Sequence, residues 1–245
     1  MKNRTARPPS ASRIISQKNG LKINIQKSSE RGHRIYDWLE TRYSFSFSDY
    51  YNPNRMEFGT LRVLNQDIIE PGKGFPMHSH DNMEIITIIL DGSLEHKDSI
   101  GNHGIIEKGD VQRMSAGSGV THSEFNHSKK EKVHLLQIWI FSKEEDIKPS
   151  YEQKHFNLDK NKFITIVGNN GVYIHQDAMF LRGIFDKDTK VNYKAKNNVF
   201  VFVINGNVNV DKYVLTKGDS AEISEVGNLE LNIKKNSDIL IIDMS

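Results

Sequence analysis

The sequence predicts an all-β protein made of two tandem antiparallel β-barrels of the jelly-roll type. Three observations predict it. Short runs alternate apolar and polar residues, glycine-rich turns separate them at near-regular spacing, and the pattern of the first half recurs in the second.

Taken in order, Leu21-Lys22-Ile23-Asn24-Ile25 alternates apolar and polar residues, as a half-buried strand does. Arg42-Tyr43-Ser44-Phe45-Ser46-Phe47 does so again, with aromatics on alternate positions. Leu61-Arg62-Val63-Leu64-Asn65 and Asp67-Ile68-Ile69-Glu70 follow and are ended by Pro71-Gly72. A histidine-rich stretch comes next. The β-branched run over residues 84–90 then predicts a central strand, closed by the hairpin turn Asp91-Gly92. Further strands are expected around Gly101-Asn102 and after the turn Lys108-Gly109-Asp110, and residues 133–140 read as another.

Residues 1–20 are basic and acid-free and carry Pro8-Pro9, which predicts a disordered tail ahead of the alternative, a transit peptide. Residues 21–141 are expected to form the first barrel, and the charged segment 142–155, with Pro149, a linker. A second, degenerate barrel is expected over 156–245. There Val199-Phe200-Val201-Phe202-Val203-Ile204 before Asn205-Gly206 echoes residues 85–92. Lys217-Gly218-Asp219 echoes Lys108-Gly109-Asp110, and residues 238–242 echo 134–140.

Composition narrows the function classes. A net charge of +2, from 33 basic and 31 acidic residues, leaves no excess for gripping nucleic acid. The absence of cysteine excludes disulfides, thiolate metal sites and cysteine nucleophiles. No apolar run approaches the roughly 18–20 residues of a membrane span, and no secretory signal is recognised, so a cytoplasmic location is expected; a monomer is expected as well.

Two pairs of residues carry ligand chemistry. His78 and His80 stand at i and i+2, as do His122 and Glu124, and on a strand such pairs share a face. Two facing strands would then converge three imidazoles and a carboxylate. Glu84 has the same parity as His78 and His80 and is a second candidate for the carboxylate. Nitrogen and oxygen ligands without sulfur suit Fe(II), Mn, Ni, Co, Cu or Zn, and an incomplete shell would leave positions for water, dioxygen or substrate. The ten histidines stop at His175, so residues 176–245 have none and the metal is expected in the first half alone. His96, His103, His127 and His134 lack ligand spacing and are expected to be surface or packing residues.

The order Gly72-x5-His78-x-His80-x3-Glu84, a Gly-rich turn at 116–119 and a later histidine resembles the two motifs of the cupin superfamily. Within it, His122-Ser123-Glu124, Arg31-Gly32-His33, Phe45-Ser46-Phe47, Arg62-Val63-Leu64-Asn65, His96-Lys97-Asp98-Ser99, Met114-Ser115-Ala116-Gly117 and Gln137-Ile138-Trp139 resemble the pirin family, specifically over about residues 21–165. The resemblance implies a bicupin whose metal, Fe(II) first among the candidates, is held by His78, His80, His122 and Glu124, with Glu84 outside the ligand set. It also implies a quercetin 2,3-dioxygenase-like oxidoreductase that cleaves a flavonol with dioxygen, Glu124 taking the enol proton. The same resemblance admits an alternative, a non-enzymatic metal-dependent regulator acting through protein partners. A sugar-phosphate isomerase is less consistent, because no glycine-rich phosphate loop is present.

Overall fold

In a computed structural model of the chain, which describes residues 14–18 and 21–245, the molecule is all-β apart from a short 3-10 turn at Ser28–Glu30. The strands are β1 (Ile14–Lys18), β2 (Leu21–Gln26), β3 (Gly32–Ile35), β4 (Leu39–Tyr43), β5 (Leu61–Ile69) and β6 (Gly74–His80). Next come β7 (Met83–Asp91), β8 (Ser93–Asp98), β9 (His103–Glu107), β10 (Asp110–Ser115), β11 (Val120–Asn126), β12 (Val133–Phe141) and β13 (Ser150–His155). The second half adds β14 (Phe163–Val167), β15 (Ala178–Phe185), β16 (Thr189–Lys194), β17 (Asn198–Asn205) and β18 (Asn207–Val210). It ends with β19 (Tyr213–Thr216), β20 (Ser220–Ser224), β21 (Asn228–Ile233) and β22 (Ser237–Met244).

The duplication read from the sequence is visible as topology. The first half orders its large sheet β13-β10-β7-β12-β5-β4-β3 and its small sheet β6-β11-β8-β9. The second half orders them β2-β20-β17-β22-β15-β14, with β1 outside β2, and β16-β21-β18-β19. Most first-half strands thus have a counterpart in the other sheet pair, among them β7 and β17, β12 and β22, β6 and β16, β11 and β21; β3 has none, and β13 matches β2.

The expected barrels differ in one respect. No ladder among the described strands closes on itself, so by hydrogen bonding each half is an open pair of sheets. Side chains join each pair. Ile69, Ile89, Val133 and Leu135 of the large sheet pack on Leu94 and Ile106 of the small one, and Val199, Val201 and Val203 do so on Val208, Leu215 and Leu231.

Strands cross the expected division in both directions. Within the segment expected as a linker, Ser150–His155 pairs along β10 of the first half. Leu21–Gln26 pairs along β20 of the second. Each added strand satisfies backbone donors and acceptors that an edge would leave open. The same holds for Ile14–Lys18, which pairs with β2 although it falls within the expected tail. Residues 1–13 and 19–20 of that tail lie outside the described residues.

The run at 84–90 is central, as predicted. It is buried along its length, and its alternation divides two interiors. Ile86, Ile88 and Leu90 join Phe180, Phe200, Phe202 and Leu240 in the apolar layer between the halves. Ile85, Thr87 and Ile89 face the interior of the first half. No helix among the described residues is long and apolar enough to cross a membrane.

Candidate metal centre

Strands β6 and β11 run antiparallel in the small sheet, with His122 directly opposite His78. A bulge follows, so that Glu124 faces Phe75. Pro76 sits in the shifted segment, where its missing N–H removes a ladder donor. The close approach also depends on Gly74. A Cβ there would stand 2.1 Å from the Glu124 carbonyl oxygen.

The three imidazoles meet as the alternation predicted. Ring centroids are 4.4 Å apart for His78 and His122, 4.8 Å for His78 and His80, and 4.9 Å for His80 and His122. One nitrogen from each lies within 4.8 Å of the others. His78 Nδ1 lies 2.7 Å from the Pro76 carbonyl, which can accept its proton and leave Nε2 free to ligate. His122 is buried, and neither of its ring nitrogens has a hydrogen-bond partner. Burial, followed by the neighbouring imidazoles, lowers the His80 pKa to about 4 and the His122 pKa to about 3. Both rings are therefore neutral at pH 7, the state in which imidazole binds a cation.

Glu124 is brought to the same place in a different grouping. Its carboxylate lies within 4.8 Å of His122 and of His96, not as one group with His78 and His80. It accepts hydrogen bonds from Gln137 Nε2 at 3.0 and 3.2 Å, and the Thr87 hydroxyl is 3.4 Å away. His96, expected as a surface or packing residue, is fully buried beside His122 and Glu124. Its Nε2 is 3.1 Å from Asp98 Oδ2, and its Nδ1 has no partner. Only the register of β8 against β11, which sets His96 opposite Glu124, places it there; no spacing in the chain foretells it.

Glu84 points away from this centre. It is fully buried on the other face of β7, where Ser115 Oγ donates to it at 2.9 Å and His175 Nδ1 lies 3.4 Å away. The shared parity of Glu84 with His78 and His80 fails because the chain turns between them, with Asn82 at φ +47°, and enters a different sheet. His134 likewise lies away from the centre, 3.0 Å from Gln66 Nε2.

The imidazoles open onto a cavity of about 340 Å³. Phe47, Phe75, Ile85 and Trp139 supply apolar walls, and Asn65, Asp67, Glu124 and Gln137 supply polar groups. Trp139 stands edge-on to both His80 and Phe47, at centroid distances of 4.8 and 5.1 Å. Burial, with the nearby Glu124 carboxylate adding to it, raises the Asp67 pKa to about 7. The donor set fits a transition-metal ion: three converging imidazoles, those of His80 and the buried His122 neutral, an adjacent carboxylate, and His122 nitrogens that no protein group satisfies.

Comparison with known proteins gives a consistent result. Residues 24–140 match the family described as Pirin, and residues 167–244 the quercetinase C-terminal cupin domain. The chain is 37% identical over 227 residues to a quercetin 2,3-dioxygenase of Escherichia coli K12, covering 91% of this chain and 98% of that one. It is equally similar, 37% over 231 residues, to a putative quercetin 2,3-dioxygenase of Pasteurella multocida, with 91% and 99% covered. Among solved structures, a bacterial pirin of E. coli in complex with nickel(II) superposes with a TM-score of 0.87 at 36% identity, covering 91% of this chain and 98% of that one.

Proposed function

The chain belongs to the pirin family, and from that premise we propose that it is a metal-dependent dioxygenase that opens the ring of a flavonol such as quercetin. The observation that carries this reading is the convergence of the His78, His80 and His122 imidazoles, with Glu124 close to His122, in the lining of an apolar-walled cavity. His78, His80, His122 and Glu124 would hold one divalent ion. Fe(II) is the proposed native ion, although the E. coli relative was solved with nickel(II) and the donor set also accepts Zn, Mn, Co or Cu.

When bound, the ion supplies a Lewis acid that favours the ionised enol and a centre at which dioxygen can react. The protein's own residues do the remaining work. Phe47, Phe75, Ile85 and Trp139 enclose the aromatic skeleton and exclude bulk water. The neutral ring nitrogens accept the cation without first losing protons. Glu124, held by the Gln137 amide, takes the enol proton on a carboxylate oxygen. The chemistry is proposed to run in the cytoplasm on a small aromatic substrate.

Metal analysis of natively purified protein, followed by oxygen uptake with a panel of flavonols, tests the reading. About one ion per chain and uptake lost on chelation would support it. Metal-loaded protein that consumes no oxygen with any flavonol would refute it.

A further inference from the structure

The cavity holds polar groups that neither the fold nor the metal uses. Asn65 and Asp67 stand at i and i+2 on β5, share its inner face and line the cavity. They are only 2% and 3% exposed, and Asn65 Oδ1 and Asp67 Oδ1 lack a partner at hydrogen-bond geometry among the described residues, although the Thr41 hydroxyl, opposite Asp67 on β4, acts on its carboxyl. Trp139 Nε1, on the adjoining β12, is also buried without a partner. Buried polar atoms are almost always satisfied, so three unsatisfied ones lining one cavity require a reason.

The fold does not supply one. Asn65 pairs with Gln137 and Asp67 with Leu135. At the matching positions of the second half, Leu181 pairs with Ile241 and Gly183 with Ile239, and Leu181 belongs to the apolar core. A strand in this place therefore packs well without polar side chains. Metal binding does not supply one for Asp67 either, because it belongs to neither group of histidines and carboxylates that converge for an ion.

We propose that Asn65 and Asp67 are specificity-determining residues that read the ring hydroxyls of a polyhydroxylated aromatic substrate, with the Trp139 indole N–H donating to one of its oxygens. The proposal deepens the flavonol reading and rests on it. An amide oxygen and a carboxyl oxygen are acceptors for phenolic O–H groups. Their α-carbons, two residues apart on a strand, are separated by roughly 6.5–7 Å, so the pair suits two hydroxyls on one ring system better than a single group. A ligand lacking those hydroxyls would leave the acceptors dry and unpaired, which is how a polar subsite rejects a bare analogue.

The test is anaerobic calorimetric binding to the metal-loaded protein, comparing quercetin with 3-hydroxyflavone, which keeps only the 3-hydroxyl. Wild type should prefer quercetin by about tenfold or more. Asn65→Leu and Asp67→Leu should each weaken quercetin by about tenfold and 3-hydroxyflavone by less than about twofold, with metal content unchanged. Asp67→Asn, which keeps size and an acceptor oxygen, should retain most of the preference and serves if a leucine variant does not fold. Equal binding of the two ligands by wild type, or equal losses in the variants, would overturn the assignment and mean that water alone satisfies these atoms. Discrimination that depends on Asn65 and Asp67 without oxygen uptake would sustain the subsite and sink the dioxygenase reading. Uptake without discrimination would do the reverse, and no binding of either flavonol would end both.

Discussion

In the first half, Thr87, Gln137 and Asn65 lie side by side across β7, β12 and β5; the second half carries Val201, Ile241 and Leu181 at the same cross-strand positions. The difference extends to the small sheets. The β6–β11 pair presents His78, His80, His122 and Glu124. Its counterpart, β16–β21, sets Val191 opposite Leu231 and Tyr193 opposite Leu229, and all four pack in or against the apolar core. One strand order therefore supports two kinds of interior. Where the strands carry apolar side chains the interior is a core, and where they carry histidines and amides it keeps a cavity. The comparison teaches that this strand order packs without the polar set, so the reason for that set lies outside the fold's stability.

The largest effect expected from this contrast is loss of the metal. His78→Ala or His122→Ala should reduce the bound ion from about one per chain to a small fraction and abolish turnover, because each removes one of the nitrogens proposed to hold it. Elemental analysis after gel filtration reads the first outcome and oxygen uptake the second. Retention of a full ion by both variants would remove the distinction between the halves.

Next in size is the opposite experiment. Leu231→Ala removes a fully buried side chain from the second-half core and should cost about 2–5 kcal/mol in denaturant unfolding, with metal content unchanged. A comparable loss of metal would mean that the ion depends on the second half. Smaller again is Gln137→Leu, which gives the first half a hydrophobic residue like the Ile241 at that place in the second. It removes the amide that donates to both Glu124 oxygens. Metal affinity should change by about 10–100-fold, the usual consequence of losing a partner that orients a ligand. Competition against a chelator would show it, and an unchanged affinity would argue against Glu124 as a ligand.

Much of this was legible in the chain. The β-branched run over 84–90, the hairpin after it and its echo at 199–206 announce two related β halves, because alternation and turn residues act locally. The i and i+2 spacing of His78 and His80 was legible for the same reason, since both residues lie on one strand. What could not be read is whatever depends on a neighbour distant in sequence. The exchange of β2 and β13 between halves follows from which sheet edge is open. The burial of His96 follows from the β8–β11 register, and the reversal of Glu84 from a left-handed residue at Asn82. The unsatisfied oxygens of Asn65 and Asp67 appear only when β5 is placed beside β12.

The smallest expected effect separates the halves by pH. His80 titrates near 4 and His122 near 3 in the folded, metal-free protein, against about 6.5 for an ordinary imidazole, because burial and the neighbouring rings oppose their charge. Below about pH 6.5 the unfolded chain binds protons at these positions that the folded chain refuses, so stability falls as pH drops from 6.5 toward 4. Asp67 acts in the other sense. Its folded pKa of about 7 makes the folded state hold a proton that the unfolded chain has released, favouring folding as pH falls through the same window. These two histidines and His134, whose pKa burial also lowers, outweigh one carboxyl and leave a modest net loss on the acid side from the first half, to which residues 176–245 add no histidine. His80→Gln removes one of these proton-refusing groups while keeping a polar side chain of similar length. The drop in melting temperature between pH 7 and pH 5 should therefore be smaller in metal-free His80→Gln than in metal-free wild type. An equal drop in both would place the acid sensitivity elsewhere and deny that the imidazole cluster is held neutral by its burial.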